Sequence, residues 1–382
     1  MSSKLFAVFD ISSSSVAGAH ALVREDGTVA LLASARIDAP LQEDINIKRF
    51  VDDTVKHLES ITTRVRKADM HHPSFIQVVL ASPWYNSQTR TIVYKKDTPF
   101  LCTQKLVNDL IEGEINHMLE GDEGSFGTFG KESIIVEKQI SGVTLNGYST
   151  TSPYGKHAQI LELYLTVTMA PKPILERFTD TVRRAYGTRK VMFTTSPVMT
   201  FLALRDLAIA PEDCVVIDVG EEVTDVAFIK GDIVLYQHSF PVGTYGLYRA
   251  IVKDSKHSAL EAVATLESYR LGKLSQRASK GIENAINMYG TQWQTGFRSV
   301  LDGGAYGFCM PSRCIITADS RFESLLTAAI KADPFIQHSC SYQAVETTFV
   351  DESVIGTRVT SADAEVVDIP LATTALFAAK RV

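Results

Sequence analysis

Apolar runs broken by short polar turns recur with one rhythm at two places in the chain. The first comprises the apolar residues 5–9, the turn Asp10-Ile11-Ser12-Ser13-Ser14-Ser15, the run 16–23, the turn Glu25-Asp26-Gly27-Thr28, and the run 29–32. The second comprises 215–217, an acidic turn holding Asp218, Gly220, Glu221, Glu222, Thr224 and Asp225, the run 226–229, the turn Lys230-Gly231-Asp232, and 233–236. Each reads as a β-meander whose first hairpin faces a ligand. Its recurrence roughly two hundred residues later predicts two related halves facing one another, their turns able to pinch a phosphate chain.

Between and beyond the meanders the period changes. Phe50, Val51, Val55, Leu58, Ile61 and Val65 have helical spacing and predict a helix over 47–70. Residues 75–81 form the continuous apolar run of a buried parallel strand. From 82 to about 170 the texture shifts to a Thr-rich strand (89–94), a helix (103–118), a Gly-rich stretch (120–130) and strands at 133–140 and 161–169. The Asn146-Gly147 pair is a strong turn signal, and the whole stretch reads as a small α+β insertion. Helices are expected over 171–186, 197–207, 258–274, 281–300 and 321–332, strands at 190–193 and 313–317, and a Gly-rich connector at 301–310. The apolar segment 366–379 lacks a polar face and reads as a core helix.

Length and charge narrow the function. A chain of 382 residues exceeds one compact core and predicts two lobes or more. A net charge of −6 with no dense block of Lys and Arg argues against nucleic acid. No run approaches the ~20 apolar residues of a membrane span, and Asp10 cuts the first apolar run too early for a signal peptide. Cys102, Cys214, Cys309, Cys314 and Cys340 are odd in number and lack zinc-ligand spacing, so reduced cytoplasmic thiols are expected. His71-His72 has no third ligand in reach and reads as a solvated loop; Trp84-Tyr85 reads as buried packing.

In order and spacing these motifs resemble the actin-like ATPase superfamily, in the branch of the division protein FtsA and the type IV pilus platform protein PilM. The two hairpins carry the resemblance, with the insertion after Leu80-Ala81, the loop Phe240-Pro241-Val242-Gly243 and the pair Glu267-x-x-Arg270. It implies an α/β, two-lobed, ribonuclease H-like fold. The first lobe would take 1–81 plus 171–212, a subdomain 1C-like α+β insertion 82–170, and the second lobe 213–382 with a reduced helical subdomain near 244–310. It also implies an ATP and Mg site between the lobes, built from Asp10, Ser12, Ser13 and Ser14 of the first hairpin and Asp218, Gly220, Glu221 and Thr224 of the second. Gly243 would approach the ligand, Glu267 and Arg270 the ribose, and Thr317 and Ala318 the adenosine; Asp10 and Asp218 would hold the metal through water. The plain alternative for both aspartates is that they cap their hairpin turns.

Four positions depart from the pattern: Ser12 replaces a turn glycine, Glu221-Glu222 a Gly-rich turn, Thr244 a second glycine, and Thr317-Ala318-Asp319-Ser320 an adjacent glycine pair. A carboxylate a few Å from a triphosphate repels it by about 1–4 kcal/mol at surface-like dielectrics. The expectation is a degenerate nucleotide site kept as a hinge, at most a weak ATPase, in a scaffold or adaptor of a membrane-associated machine. Its partners would be a division-ring filament protein or a pilus platform subunit, with self-assembly as a further expectation and no nucleic acid. No amphipathic helix follows a linker around residues 378–382, so tethering to the inner face of the membrane through partners is expected. An active ATPase or small-molecule kinase of the same superfamily remains the alternative.

Overall fold

A computed structural model describes residues 4–42, 46–120, 132–187, 189–231, 233–255, 259–304, 310–331, 345–362 and 367–381. The first meander is β1 (Lys4–Ile11), β2 (Ser15–Val23) and β3 (Val29–Asp38). Pairing of Ile11 with Val16 leaves Ser12, Ser13, Ser14 and Ser15 between them as the turn. Helix α1 (Ile47–Ala68) starts where the Asn46 side chain accepts from the Arg49 N–H, and its apolar stripe from Phe50 to Val65 is buried. Strand β4 (Phe75–Leu80), buried at every residue, lies parallel to β1, as its unbroken apolar run requires.

The insertion follows: β5 (Asn86–Leu101), α2 (Gln104–Glu120), β6 (Ser133–Leu145), β7 (Tyr148–Ser149) and β8 (His157–Pro171), an antiparallel sheet in the order β5-β8-β6-β7. Helix α2 covers one face through Val107, Ile111, Ile115 and Met118. The strands outrun their apolar signal because hydroxyls pair across them, Ser87 with Thr168 and Thr89 with Thr166. The first lobe resumes with α3 (Lys172–Tyr186), β9 (Lys190–Thr195) and α4 (Ser196–Asp206).

The second meander is β10 (Cys214–Val219), β11 (Thr224–Lys230) and β12 (Ile233–Phe240). It continues into α5 (Tyr245–Ser255), α6 (Ala259–Arg270), α7 (Gln276–Gly304), β13 (Arg313–Thr317), α8 (Glu323–Ile330) and β14 (Glu346–Phe349). Its sheet runs β12-β11-β10-β13-β14, and the first runs β3-β2-β1-β4-β9: in both, an antiparallel meander is extended by two parallel strands. The duplication read from the turns is therefore a duplication of topology.

Three expectations change. Helix α5 falls in the stretch 244–310 expected to be helical but was not read as an element of its own, and α7 runs on through Gly303-Gly304, shortening the connector, whose residues 305–309 lie outside the described residues. A second lobe of 213–382 does not hold its last strand: β15 (Val359–Ser361) adds to the first sheet beside β3. Helix α9 (Ile369–Ala379) then packs on the first sheet and α4, its Leu371, Ala372 and Ala375 in one buried cluster with Phe6, Val8, Leu204 and Val216. A helix buried from Leu371 to Ala378 needs apolar cover on several sides, which the first sheet and α4 supply. Cys102, Cys214 and Cys314 are buried thiols, whereas Cys309 and Cys340 fall outside the described residues. Among the described residues no helix is long and apolar enough to cross a membrane.

Candidate functional site

Ligand sites in open α/β sheets form beyond the carboxyl ends of the strands. Here the ends of β1, β10 and β13 converge on a cleft of about 420 Å³ that brings together Asp10, Ser12, Asp218, Gly220, Glu221, Thr317 and Ala318. Ser13, Ser14, Thr224 and Gly243 support its walls, as described below.

The two hairpins touch. Glu221 Oε2 accepts from the Ser12 hydroxyl at 2.6 Å, the Ser13 hydroxyl at 3.1 Å and the Ser14 N–H at 3.3 Å. The Glu222 N–H in turn donates to the Ser13 hydroxyl at 3.0 Å. Glu222 itself turns away and forms a forked pair with Arg249 at 2.7 and 2.5 Å. The register of the first meander aligns Asp10, Ala17 and Arg36 across three strands, and the small Ala17 lets Arg36 reach over to Asp10. Arg36 Nη2 meets Asp10 at 3.2 Å, its Nε and Nη2 meet Asp368 at 2.6 and 2.9 Å, and its Nη1 donates to the Ser15 hydroxyl at 2.7 Å.

Neither aspartate caps its turn. Asp218 accepts from the hydroxyls of Ser196 and Thr317 at 2.5 and 2.6 Å. Asp225 crosses to the first lobe, where it accepts from the Ser82 N–H at 2.9 Å and the Ser82 hydroxyl at 2.5 Å. Burial pushes Asp10 up to about 7 against the pull of Arg36. It also pushes Asp218 and Asp225 up to about 6, against the hydrogen bonds from Ser196 and Thr317 and from Ser82.

Other expected residues have structural partners. The Thr224 hydroxyl donates to the Val242 carbonyl at 2.6 Å and accepts from Trp293 Nε1 at 3.1 Å. Trp84 is stacked on Phe50, and its Nε1–H donates to the Ser12 carbonyl at 2.8 Å. Each of the two tryptophans thus underlies one hairpin. At Gly243 the close approach is to the chain itself: a Cβ there would lie 2.4 Å from the Glu221 carbonyl. Glu267 and Arg270 pair with each other at 3.6 Å, and Arg270 lines a separate, more open cleft with Tyr269, Asn287 and Arg321.

No family model and no curated protein matches the chain. Among solved structures, one described as the "PilM-PilN type IV pilus biogenesis complex" superposes with a TM-score of 0.65 at 14% identity over 98% of each chain. The chain has the actin-like ATPase fold. A diol dehydratase-reactivating factor in nucleotide-free form superposes with a TM-score of 0.51 at 9% identity, over 99% of this chain and 100% of that one. A Bacteroides thetaiotaomicron protein described as having an actin-like ATPase fold is more distant, at a TM-score of 0.38 and 8% identity over 91% of each chain.

The actin-like fold implies a nucleotide and its metal in this cleft. As arranged, the residues do not fit that pair. The three donors of the first turn are spent on Glu221, and the Asp10 carboxylate is held by Arg36. Among the described residues no group of three or more His, Cys, Asp or Glu is placed to hold a metal ion. Sequence reasoning missed Arg36, Asp368, Ser196, Ser82 and Arg249. Only Arg36 had a usable signal, as a cation on a mostly apolar strand in line with Asp10.

Proposed function

We infer that the chain is an actin-like scaffold or adaptor of a membrane-associated machine of the type IV pilus kind, acting through partner binding, with the nucleotide site degenerate. The observation that carries this reading is the match to the pilus complex at a TM-score of 0.65, end to end on both chains. The spent donors of the first turn support the degenerate site, since a scaffold needs the rigid two-lobed body but no turnover. The partner is a subunit of the pilus inner-membrane platform, and the chain reaches the membrane through it.

Two measurements test the reading. Calorimetric titration with ATP and magnesium is expected to give no micromolar binding and no steady hydrolysis. Reciprocal co-purification of the full chain with candidate platform subunits is expected to recover a stable complex. Recovery of a division-ring filament protein instead, or steady ATP turnover, overturns the proposal.

A further inference from the structure

Two opposite charges supplied by the chain itself sit at the first hairpin. On the anionic side, three consecutive residues, Ser12, Ser13 and Ser14, aim two hydroxyls and one backbone N–H at a single oxygen of Glu221. Convergent donors in a tight turn are a general oxyanion cradle, and here the oxyanion comes from the opposite lobe. On the cationic side, the forked guanidinium of Arg36 bridges Asp10 on β1, Ser15 at the end of the same turn, and Asp368 at the start of α9.

We propose that Glu221 and Arg36 are internal stand-ins for the anion and the cation of a nucleotide–metal complex, and that Glu221 holds the lobes together with no bound ligand. This rests on the degenerate-site reading and adds what occupies the site. Glu221 is fixed from behind: the Thr244 N–H donates to the Gly220 carbonyl at 2.9 Å and the Tyr245 N–H to the Glu221 carbonyl at 2.8 Å. Gly243 lies so close to that turn that a side chain has no room. Asp225, bound to Ser82, forms a second link between the lobes beside the first. Asp38, Asp218, Asp319 and Asp368 also line the cleft, and Arg36 is the one Lys or Arg among its described lining residues, so an entering polyphosphate meets net repulsion.

The test compares the full-length wild type with Glu221→Ala and Glu221→Gln, using inorganic phosphate as the probe and tryptophan emission as the readout, because Trp84 donates to the Ser12 carbonyl. Glu221→Ala vacates the cradle and is expected to bind phosphate at least about tenfold more tightly than the wild type, with its unfolding temperature raised by phosphate. Glu221→Gln keeps an acceptor in the cradle and is expected to stay as insensitive as the wild type. Equal phosphate responses in wild type and a folded Glu221→Ala overturn the assignment. A measurement on the wild type alone covers the case in which the alanine variant does not fold. The Ser14 amide is expected to be strongly protected from hydrogen exchange without ligand, and rapid exchange there overturns the proposal. Micromolar ATP–magnesium binding by the wild type overturns both this and the degenerate-site reading. Loss of the phosphate gain with partner capture intact overturns the stand-in assignment alone.

Discussion

The Ser12 hydroxyl donates a 2.6 Å hydrogen bond to Glu221, joining residues 209 positions apart in the chain. That bond makes the two hairpins of the duplicated fold a direct contact, so the cleft behaves as one braced unit whose strength is open to measurement.

Asp225 is the second brace. It is buried, and both of its oxygens accept from Ser82. Asp225→Ala leaves a buried N–H and a hydroxyl without their acceptor and is expected to lower stability by about 2–4 kcal/mol. Asp225→Asn is expected to lose less. The urea midpoint checks this, and an unchanged midpoint for the alanine variant refutes it.

The pH dependence has a definite sign. Burial raises Asp10 to about 7 and Asp218 and Asp225 to about 6, from an ordinary value near 3.8. Between these values the folded state holds more protons than the unfolded one, so the stability contributed by these groups falls as pH rises. It is highest below about pH 4 and fully lost above about pH 7. Asp10→Asn removes the largest of the three and is expected to flatten the decline between about pH 5 and pH 7.5. Parallel urea titrations at the two pH values would show no difference in slope if Asp10 were not the group responsible.

Gly243 and Gly290 predict opposite outcomes for one substitution. At Gly243 a Cβ meets the backbone of Glu221 and Glu222 at 2.4–2.5 Å, whereas at Gly290, within α7, nothing lies within 4 Å. Gly243→Ala is expected to cost about 1–3 kcal/mol by overpacking. Gly290→Ala is expected to stabilise by about 0.4–1 kcal/mol, as alanine restricts the unfolded chain. Thermal unfolding of the two variants side by side reads the contrast.

Glu222 and Arg249 form a forked pair with the carboxylate buried and the guanidinium part-exposed. Arg249→Met strands the Glu222 charge and is expected to cost about 2–3 kcal/mol after allowance for solvent at the arginine. The double variant Glu222→Gln with Arg249→Met is expected to recover most of that loss. A double variant as unstable as the single one would show that packing of the arginine stem, rather than the ion pair, is what matters.

Much of the fold was legible because it is written in local periods. Alternation with turn residues placed both meanders, the 3.6-residue spacing of Phe50 to Val65 placed α1, and the unbroken run at 75–80 marked a parallel strand. Repetition of one turn pattern was enough to expect two matching lobes. The elements that went unseen, α5, β14 and β15, carry weak or short apolar signals; β14 and β15 join their sheets by pairing with distant strands.

The candidate site was legible in part. The sequence by itself determined which residues stand at the hairpin turns and that Glu221 and Glu222 sit where a phosphate-binding turn is expected. Only the tertiary structure decided that Glu221 enters the opposite turn while Glu222 turns to Arg249, that Arg36 reaches Asp10 across Ala17, and that Arg270, paired with Glu267, lines a different cleft. The physical reason is that a strand's period and a turn's chemistry act within a few residues, whereas a charge finds its partner through sheet register and the approach of two lobes.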